Sequence, residues 1–160
     1  MAIDVGNLVL ASATISVDEA DCGATVGGVY MRSEDTFRDV EIDQFIGTWK
    51  KVLTGRKYFV RANLAEGTLL NLRKAWNLAE ANLSGSTLTL DETDRGSVAV
   101  TLAGTGPDGS GRTVTLATCV ALAATEYPVG RKDEESVFAI ELEVLADSSN
   151  DFGTIVDAAA

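Results

Sequence analysis

The sequence predicts a mainly β fold, an antiparallel two-sheet β-sandwich or barrel with one flanking α-helix, and three observations lead to this fold class. Apolar and polar residues alternate along most of the chain, as they do in strands that bury one face. Only one segment has the spacing of an amphipathic helix. The chain has 160 residues, 46% of them hydrophobic, which predicts a single domain over residues 1–160.

The alternation is cleanest near the end of the chain, where the predicted buried face consists of Phe138, Ile140, Leu142 and Val144. Further strands are predicted over residues 8–17, 49–53, 58–64, 97–102 and 113–122. In the last of these, the predicted core face holds Val114, Leu116, Val120 and Leu122, and Cys119 lies opposite. Most of these segments are joined by short polar turns, so neighbouring strands are expected to be antiparallel.

Residues 104–109 match the G-x-G-x-x-G pattern of dinucleotide-binding proteins. That pattern binds a pyrophosphate only where a helix begins directly after it. Here a predicted strand follows, so we interpret the segment as a hairpin turn and expect no cofactor.

The helix is predicted over about residues 66–78, with Leu69, Leu72 and Trp76 on the face that packs against the sheet. Thr68 or Asn63 would cap its N-terminus. The opposite side is expected to face solvent or a partner, and it carries Asn71, Arg73, Lys74 and Asn77.

Two segments are predicted to be irregular. Residues 18–36 are polar and rich in glycine, which predicts an extended loop, and loops this long are often binding elements. Residues 148–160 are predicted to form a C-terminal arm.

The composition excludes several classes of function. A net charge of −11 argues against general nucleic-acid binding, which requires a positive surface. The absence of histidine removes Ser-His-Asp and Cys-His catalysis and histidine-bound zinc, and two cysteines cannot form a four-ligand zinc site. Two carboxylates suffice for a glycosidase, but aromatic residues that hold sugars are only 6% of the chain. We therefore expect no enzymatic activity, and we expect Cys22 and Cys119 to be reduced.

The charge is unevenly distributed along the chain. Residues 1–43 hold nine acidic and two basic side chains (−7), residues 44–79 seven basic and one acidic (+6), and residues 80–160 fourteen acidic and four basic (−10). Two interpretations remain open: the basic segment pairs with acidic segments inside the subunit, or it docks on an acidic surface of another copy. The candidate inter-subunit residues are Lys50, Lys51, Arg56, Lys57, Arg61, Arg73 and Lys74.

Five carboxylates at alternating strand positions form the candidate acidic surface: Asp39, Glu41, Asp43, Glu141 and Glu143. A calcium loop would need a glycine and a distal glutamate at fixed spacing, and both are missing, so we expect no metal site. The interpretation is a surface that faces water or repels a polyanion.

Several segments resemble tail tube proteins of long-tailed, siphovirus-type bacteriophages and prophages. The longest runs from Val60 to Trp76 and reads VRANLAEGTLLNLRKAW. The others are GNLVL at residues 6–10, ATVGGV at 24–29, and residues 138–147 and 152–157.

This resemblance implies a structural virion protein that self-assembles into stacked hexameric rings. The rings would form a hollow tube through which viral DNA passes without specific binding, with the acidic surface facing the lumen. Implied partners are the tape measure, terminator and distal tail proteins, in the virion tail and, during assembly, in the host bacterial cytoplasm, with no membrane association. Alternatives are a tail terminator, a head-tail connector, a secretion-system tube protein, or a calcium- or carbohydrate-binding β module.

Overall fold

The computed structural model describes residues 12–43, 46–92, 96–105, 111–122 and 137–158. Its strands are β1 (Ser12–Val17), β2 (Ala20–Asp21), β3 (Thr25–Glu41), β4 (Thr48–Leu64), β5 (Leu83–Ser84), β6 (Thr87–Leu88), β7 (Val98–Thr105), β8 (Gly111–Ala121), β9 (Phe138–Val144) and β10 (Thr154–Ala158). One α-helix, α1 (Leu69–Ala75), and a short 3₁₀ helix (Glu80–Asn82) lie in this part of the chain. The predicted mainly β, antiparallel class with one flanking helix is confirmed.

Eight strands form one sheet in the order β2-β1-β7-β8-β9-β4-β3, with β10 paired to β8. The sheet curls so that β3 returns to β1, where the Thr25 hydroxyl donates to the Ala13 carbonyl at 3.4 Å. This curl makes the sheet barrel-like. A separate two-stranded sheet, β5 and β6, lies beside α1.

The core fills the inside of the curled sheet. In β9 every second residue is buried, as predicted, and Ile140 and Leu142 are fully enclosed. Val60, Ala62 and Leu64 of β4 meet them from the neighbouring strand. Burial of each large aliphatic side chain contributes about 1.5–3 kcal/mol, so this alternation is the main source of the barrel's stability.

Strands β3 and β4 form a hairpin that is much longer than the strand beside it. β9 pairs with Tyr58–Leu64 only, so residues 48–57 of β4 pair with β3 alone among the described residues. We call residues 35–43 and 46–56 the arm. The pairing slips once between Thr36 and Phe37 and once between Val40 and Glu41, as in β-bulges that bend and twist a ribbon.

The predicted loop over residues 18–36 is wrong over most of its length. Residues 20–21 form β2, and from Thr25 the chain is strand. The sequence shows no alternation of apolar and polar residues there, because most of β3 is exposed on both faces. The strand therefore has no apolar face that a pattern of period two could indicate. Gly27 and Gly28 have φ of +77° and +92°, which places the glycine run at the irregularity between Thr25 and Val29 rather than in a loop.

Two predicted faces are also corrected. Cys119 belongs to the core with Leu116, because the pairing of β7 and β8 slips between Val98 and Val100 and moves the faces of β8 out of strict alternation. The helix is shorter than predicted and begins after Thr68, which caps it by accepting from the Asn71 amide at 3.1 Å. Leu69 is partly exposed.

The predicted C-terminal arm folds back onto its own subunit in part. Residues 154–158 form β10, which lies along β8 on the same side as β9. Phe152 anchors this return, with its ring 5.0 Å from that of Tyr58. Gly153 lies against the Thr115 carbonyl with φ of +147°, a conformation and a space that suit glycine.

Candidate functional site

The outer face of β3, β4 and β9 carries charges that alternate in sign across the strands. Arg32 Nη2 lies 3.6 Å from a Glu141 carboxylate oxygen, and Lys57 Nζ lies 2.9 Å from Glu143. The Arg32 guanidinium also stacks over the Phe59 ring at 4.5 Å from the centroid, which is a cation–π geometry. Two of the candidate acidic residues therefore have basic partners in their own subunit.

The base of the arm is held by a similar pair. Arg56 donates to both oxygens of Asp35, from Nε at 2.6 Å and from Nη2 at 2.7 Å. This bidentate bond lowers the pKa of Asp35 and raises that of Arg56. Further out, Lys51 Nζ lies 3.6 Å from Asp39.

The arm also exposes apolar side chains. Phe37 and Leu53 are directly opposite each other in the pairing, and their residues remain 54% and 44% exposed. Trp49 and Val52 are exposed on the same ribbon, and Ile46 is fully exposed near its tip. An isolated two-stranded ribbon is marginally stable in water, so an apolar ribbon of this length is a surface that needs a cover.

The tip of the arm is acidic. Glu41 and Asp43 are exposed, and no ion pair joins either of them to another described residue. Lys50 is opposite Val40, one ladder position from the tip. Asp39, Glu41 and Asp43 thus lie on the arm and are separate from Glu141 and Glu143 on the barrel.

The helix buries polar side chains that were predicted to be exposed. Lys74 is only 4% exposed, and its Nζ donates to the Ala20 carbonyl at 2.8 Å and lies 3.8 Å from Cys22 Sγ. Asn71 donates to the carbonyls of Cys22 and Glu66 at 2.8 and 3.0 Å. Asn77 is buried too. The predicted exposure to solvent is wrong for these three residues. Asn71 and Lys74 donate to backbone carbonyls in and just after β2, and a long Lys side chain can cover apolar surface with its stem.

Beside α1 is an open cavity of about 330 Å³. Apolar side chains, among them Leu70, Leu78 and Val98, make up part of its wall, and Arg73 and Lys74 contribute two cations. Arg73 Nε is buried and has no hydrogen-bond partner among the described residues.

The candidate residues therefore fall into three places: the barrel face, the arm and the helix. Pairing inside the subunit, one of the two interpretations of the charge pattern, holds for Lys51, Arg56 and Lys57. Arg61 is exposed and lies opposite Glu141 in the pairing of β4 and β9. The lumenal and inter-subunit roles of all twelve residues stay predictions.

Sequence reasoning missed Arg32 and Asp35, which complete two of these pairs. It also missed the exposed apolar residues of the arm. The charged residues of segments 32–39 and 50–57 are complementary across a hairpin, and this pattern could have predicted the ion pairs. It could be used only if β3 was already known to be a strand.

Both cysteines are buried free thiols. Burial raises the pKa of Cys119 to about 11, and burial is also the main cause of the raised pKa of Cys22. In the described part of the chain, no three His, Cys, Asp or Glu side chains are grouped so that they could hold a metal ion. Among the same residues, no helix has the length and apolar character needed to cross a bilayer.

Comparison with known proteins gave one kind of match. No family model matches this chain, and no curated protein matches it. Among solved structures it is similar to a chain from the sheath-tube complex of an extracellular contractile injection system, PVC, in the extended state. The TM-score is 0.48 with 12% sequence identity, over 93% of this chain and 89% of the other. Similarity at this level does not assign a function.

Proposed function

We propose that this protein is a structural subunit that self-assembles into stacked hexameric rings, forming the hollow tail tube of a long-tailed bacteriophage. It acts without catalysis, needs no cofactor, and meets the tape measure, terminator and distal tail proteins in the virion tail. Assembly takes place in the host bacterial cytoplasm, and viral DNA passes through the lumen without specific binding.

The observation that carries this proposal is the arm. Its residues are almost all exposed, yet Phe37, Leu53, Trp49 and Val52 are apolar. Exposure of these apolar side chains to water is unfavourable, and a second copy that covers them removes this unfavourable contact. The resemblance of residues 60–76, 138–147 and 152–157 to tail tube proteins supports the same conclusion.

Open strand edges provide a way for subunits to bind one another. Residues 48–57 of β4 pair on one side only among the described residues, so their other edge presents backbone groups that can accept a strand. Within the described ranges β10 pairs with β8 alone, so its other edge is a second candidate. Strand addition at such edges joins subunits through main-chain hydrogen bonds.

The barrel face gives the proposed lumen a mixed charge. Glu141 and Glu143 stay our candidates for a wall that repels DNA, and Arg32 and Lys57 partly neutralise them. A wall of paired charges presents few free cations to phosphate, which suits passage without binding.

Negative-stain electron microscopy of the purified protein tests the proposal. Rings or tubes are expected for the unaltered chain. The double change Phe37→Ser with Leu53→Ser is expected to abolish polymers while the thermal unfolding temperature stays within a few degrees, since both side chains are exposed.

Leu90→Ser is the matched control, because Leu90 is 66% exposed and lies outside the arm. It should leave polymers intact. A chain that stays monomeric at high concentration in every salt tested would contradict the proposal. A single closed ring that never stacks would favour a terminator or connector instead.

A further inference from the structure

We propose that the cavity beside α1 is a socket for the arm tip of a second copy, in which Arg73 and Lys74 hold the carboxylates of Glu41 and Asp43. This inference rests on the proposed function and names the contact that stacks one subunit on the next. It commits to another copy of this chain as the occupant.

The cavity has cations without carboxylate partners. Lys74 is 4% exposed as a residue, its ammonium group contacts a carbonyl and a thiol, and no carboxylate pairs with it among the described residues. Arg73 Nε is buried and, in the part of the chain that the structure describes, has no hydrogen-bond partner. A buried donor that is left unsatisfied destabilises the protein, so an acceptor that enters the cavity and bonds to it is favourable.

Two acidic residues also line the cavity, and their positions do not remove this preference. Asp18 accepts from the Ala99 amide at 3.1 Å, so its carboxylate already has a backbone partner. Glu80 is exposed at the start of the 3₁₀ helix. Neither carboxylate forms an ion pair with Arg73 or Lys74.

The arm tip has the complementary chemistry. Glu41 and Asp43 are exposed without ion-pair partners in the described chain, and Ile42 and Ile46 lie beside them. The carboxylates would pair with the two cations of the cavity, and the isoleucine side chains would contact its apolar wall, which includes Leu70, Leu78 and Val98. Hydrogen bonds between a cationic donor and a carboxylate are stronger than hydrogen bonds between neutral groups.

The cavity and the arm tip lie at opposite ends of the strands. Val98, beside the cavity, begins β7. It lies at the same level as Cys119, Val144 and Tyr58 across the sheet, and Tyr58 is two residues from the arm. Followed back from Tyr58 to Thr48, β4 extends in the direction in which β7 leaves the cavity. These ten residues of strand span ~33 Å. The tip therefore cannot reach the cavity of its own subunit.

A contact between unlike ends joins copies head to tail. Such a heterologous contact does not close between two subunits, and repetition produces an open stack. One contact per subunit thus accounts for both the exposed acidic tip and the buried Nε of Arg73, which has no hydrogen-bond partner among the described residues.

Charge exchange tests the contact. Arg73→Glu alone, and Glu41→Arg with Asp43→Arg alone, should each raise the critical concentration for polymerisation at least about tenfold, which corresponds to about 1.4 kcal/mol per contact. An equimolar mixture of the two variants should polymerise again, because the acidic arms of the first variant find unaltered sockets on the second, and the basic arms of the second find the introduced glutamate on the first. Glu92→Arg, an acid-to-base change like Glu41→Arg but at an exposed position outside arm and cavity, should have no effect.

A cross-link gives a second measurement that does not depend on polymer yield. Copies with Asp43→Cys mixed with copies with Ala79→Cys should form an intermolecular disulfide between the two introduced thiols. The native Cys22 and Cys119 are 1% and 0% exposed and should not compete.

The outcomes separate the two proposals. If the unaltered chain polymerises and Arg73→Glu polymerises equally well, the socket is wrong and the tube stands. A mixture that stays monomeric, or a missing cross-link within polymers, would also overturn the socket. If the unaltered chain never polymerises, the proposed function itself fails.

Discussion

The two halves of β4 belong to the same strand and pair with the same neighbour, yet they have opposite environments. Residues 58–64 lie between β3 and β9, and their alternate side chains are fully buried. Residues 48–57 pair with β3 alone in the described chain, and all of them are exposed. Hydrogen bonding along the β3–β4 ladder is shared by both halves, so the difference lies in burial.

This difference separates stability from assembly. The barrel half contributes to the free energy of unfolding of the subunit, because its side chains leave water when the chain folds. The arm half has apolar side chains that remain in water. Their burial can contribute free energy only when another surface covers them. Changes in the two halves should therefore affect different measurements.

A matched pair of leucines gives the largest expected contrast. Leu142→Ala in the barrel removes a fully buried side chain, and about 2–5 kcal/mol of the free energy of unfolding should be lost. Leu53→Ala on the arm removes a side chain that is 44% exposed, and roughly 0.5 kcal/mol or less should be lost. Urea denaturation of the dilute subunit measures both. Equal losses would mean that the arm is packed within the subunit.

β10 is an intermediate region, since it is exposed but anchored to the barrel. A Cβ at Gly153 would lie 2.3 Å from the Thr115 carbonyl oxygen, at a φ of +147°. Gly153→Ala should detach β10 and reduce stability by about 1–3 kcal/mol. Gly96→Ala is the control, because no atom lies within 4 Å of its Cβ position. Urea denaturation with both variants measures the difference, and an unchanged Gly153→Ala would show that β10 adds nothing to the barrel.

The smallest effect is expected at the base of the arm, as the pH falls. The hydrogen bonds from Arg56 lower the pKa of Asp35, so this pair stabilises the folded arm above the pKa of an unfolded aspartate, about 3.9. The stabilisation is lost as the pH falls through the lower, folded pKa. The NMR resonance of Arg56 Nε–H should therefore move with a midpoint below about 3.9. In Asp35→Asn that transition should disappear, and a midpoint above the ordinary value would contradict the pairing.

Strands with one buried face were predictable from the sequence, and β9 is the clearest case. Its residues 138–144 alternate because the core is on one side and solvent on the other. β3 was missed because neither face of the arm is buried, so no period of two appears in its apolar residues. The burial of Lys74 depends on the Ala20 carbonyl, 54 positions away, which a local pattern does not reveal.

The candidate site divides in the same way. The uneven charge along the chain was visible at once, and it correctly left open pairing inside the subunit. Which acid meets which base depended on the register of β3 against β4, with its two bulges in the arm. The unpaired Nε of Arg73 depends on how α1 is rotated against the segment after β2.

The arm and the cavity lie at opposite ends of the strands, and this placement would set the character of the proposed stack. A stack built from such subunits is polar: one terminus displays unfilled arms, and the other displays empty cavities. Growth at the two termini then requires different first contacts, so a nucleating partner and a capping partner would need different surfaces. A single small protein could stop elongation at one terminus by imitating either half of the contact.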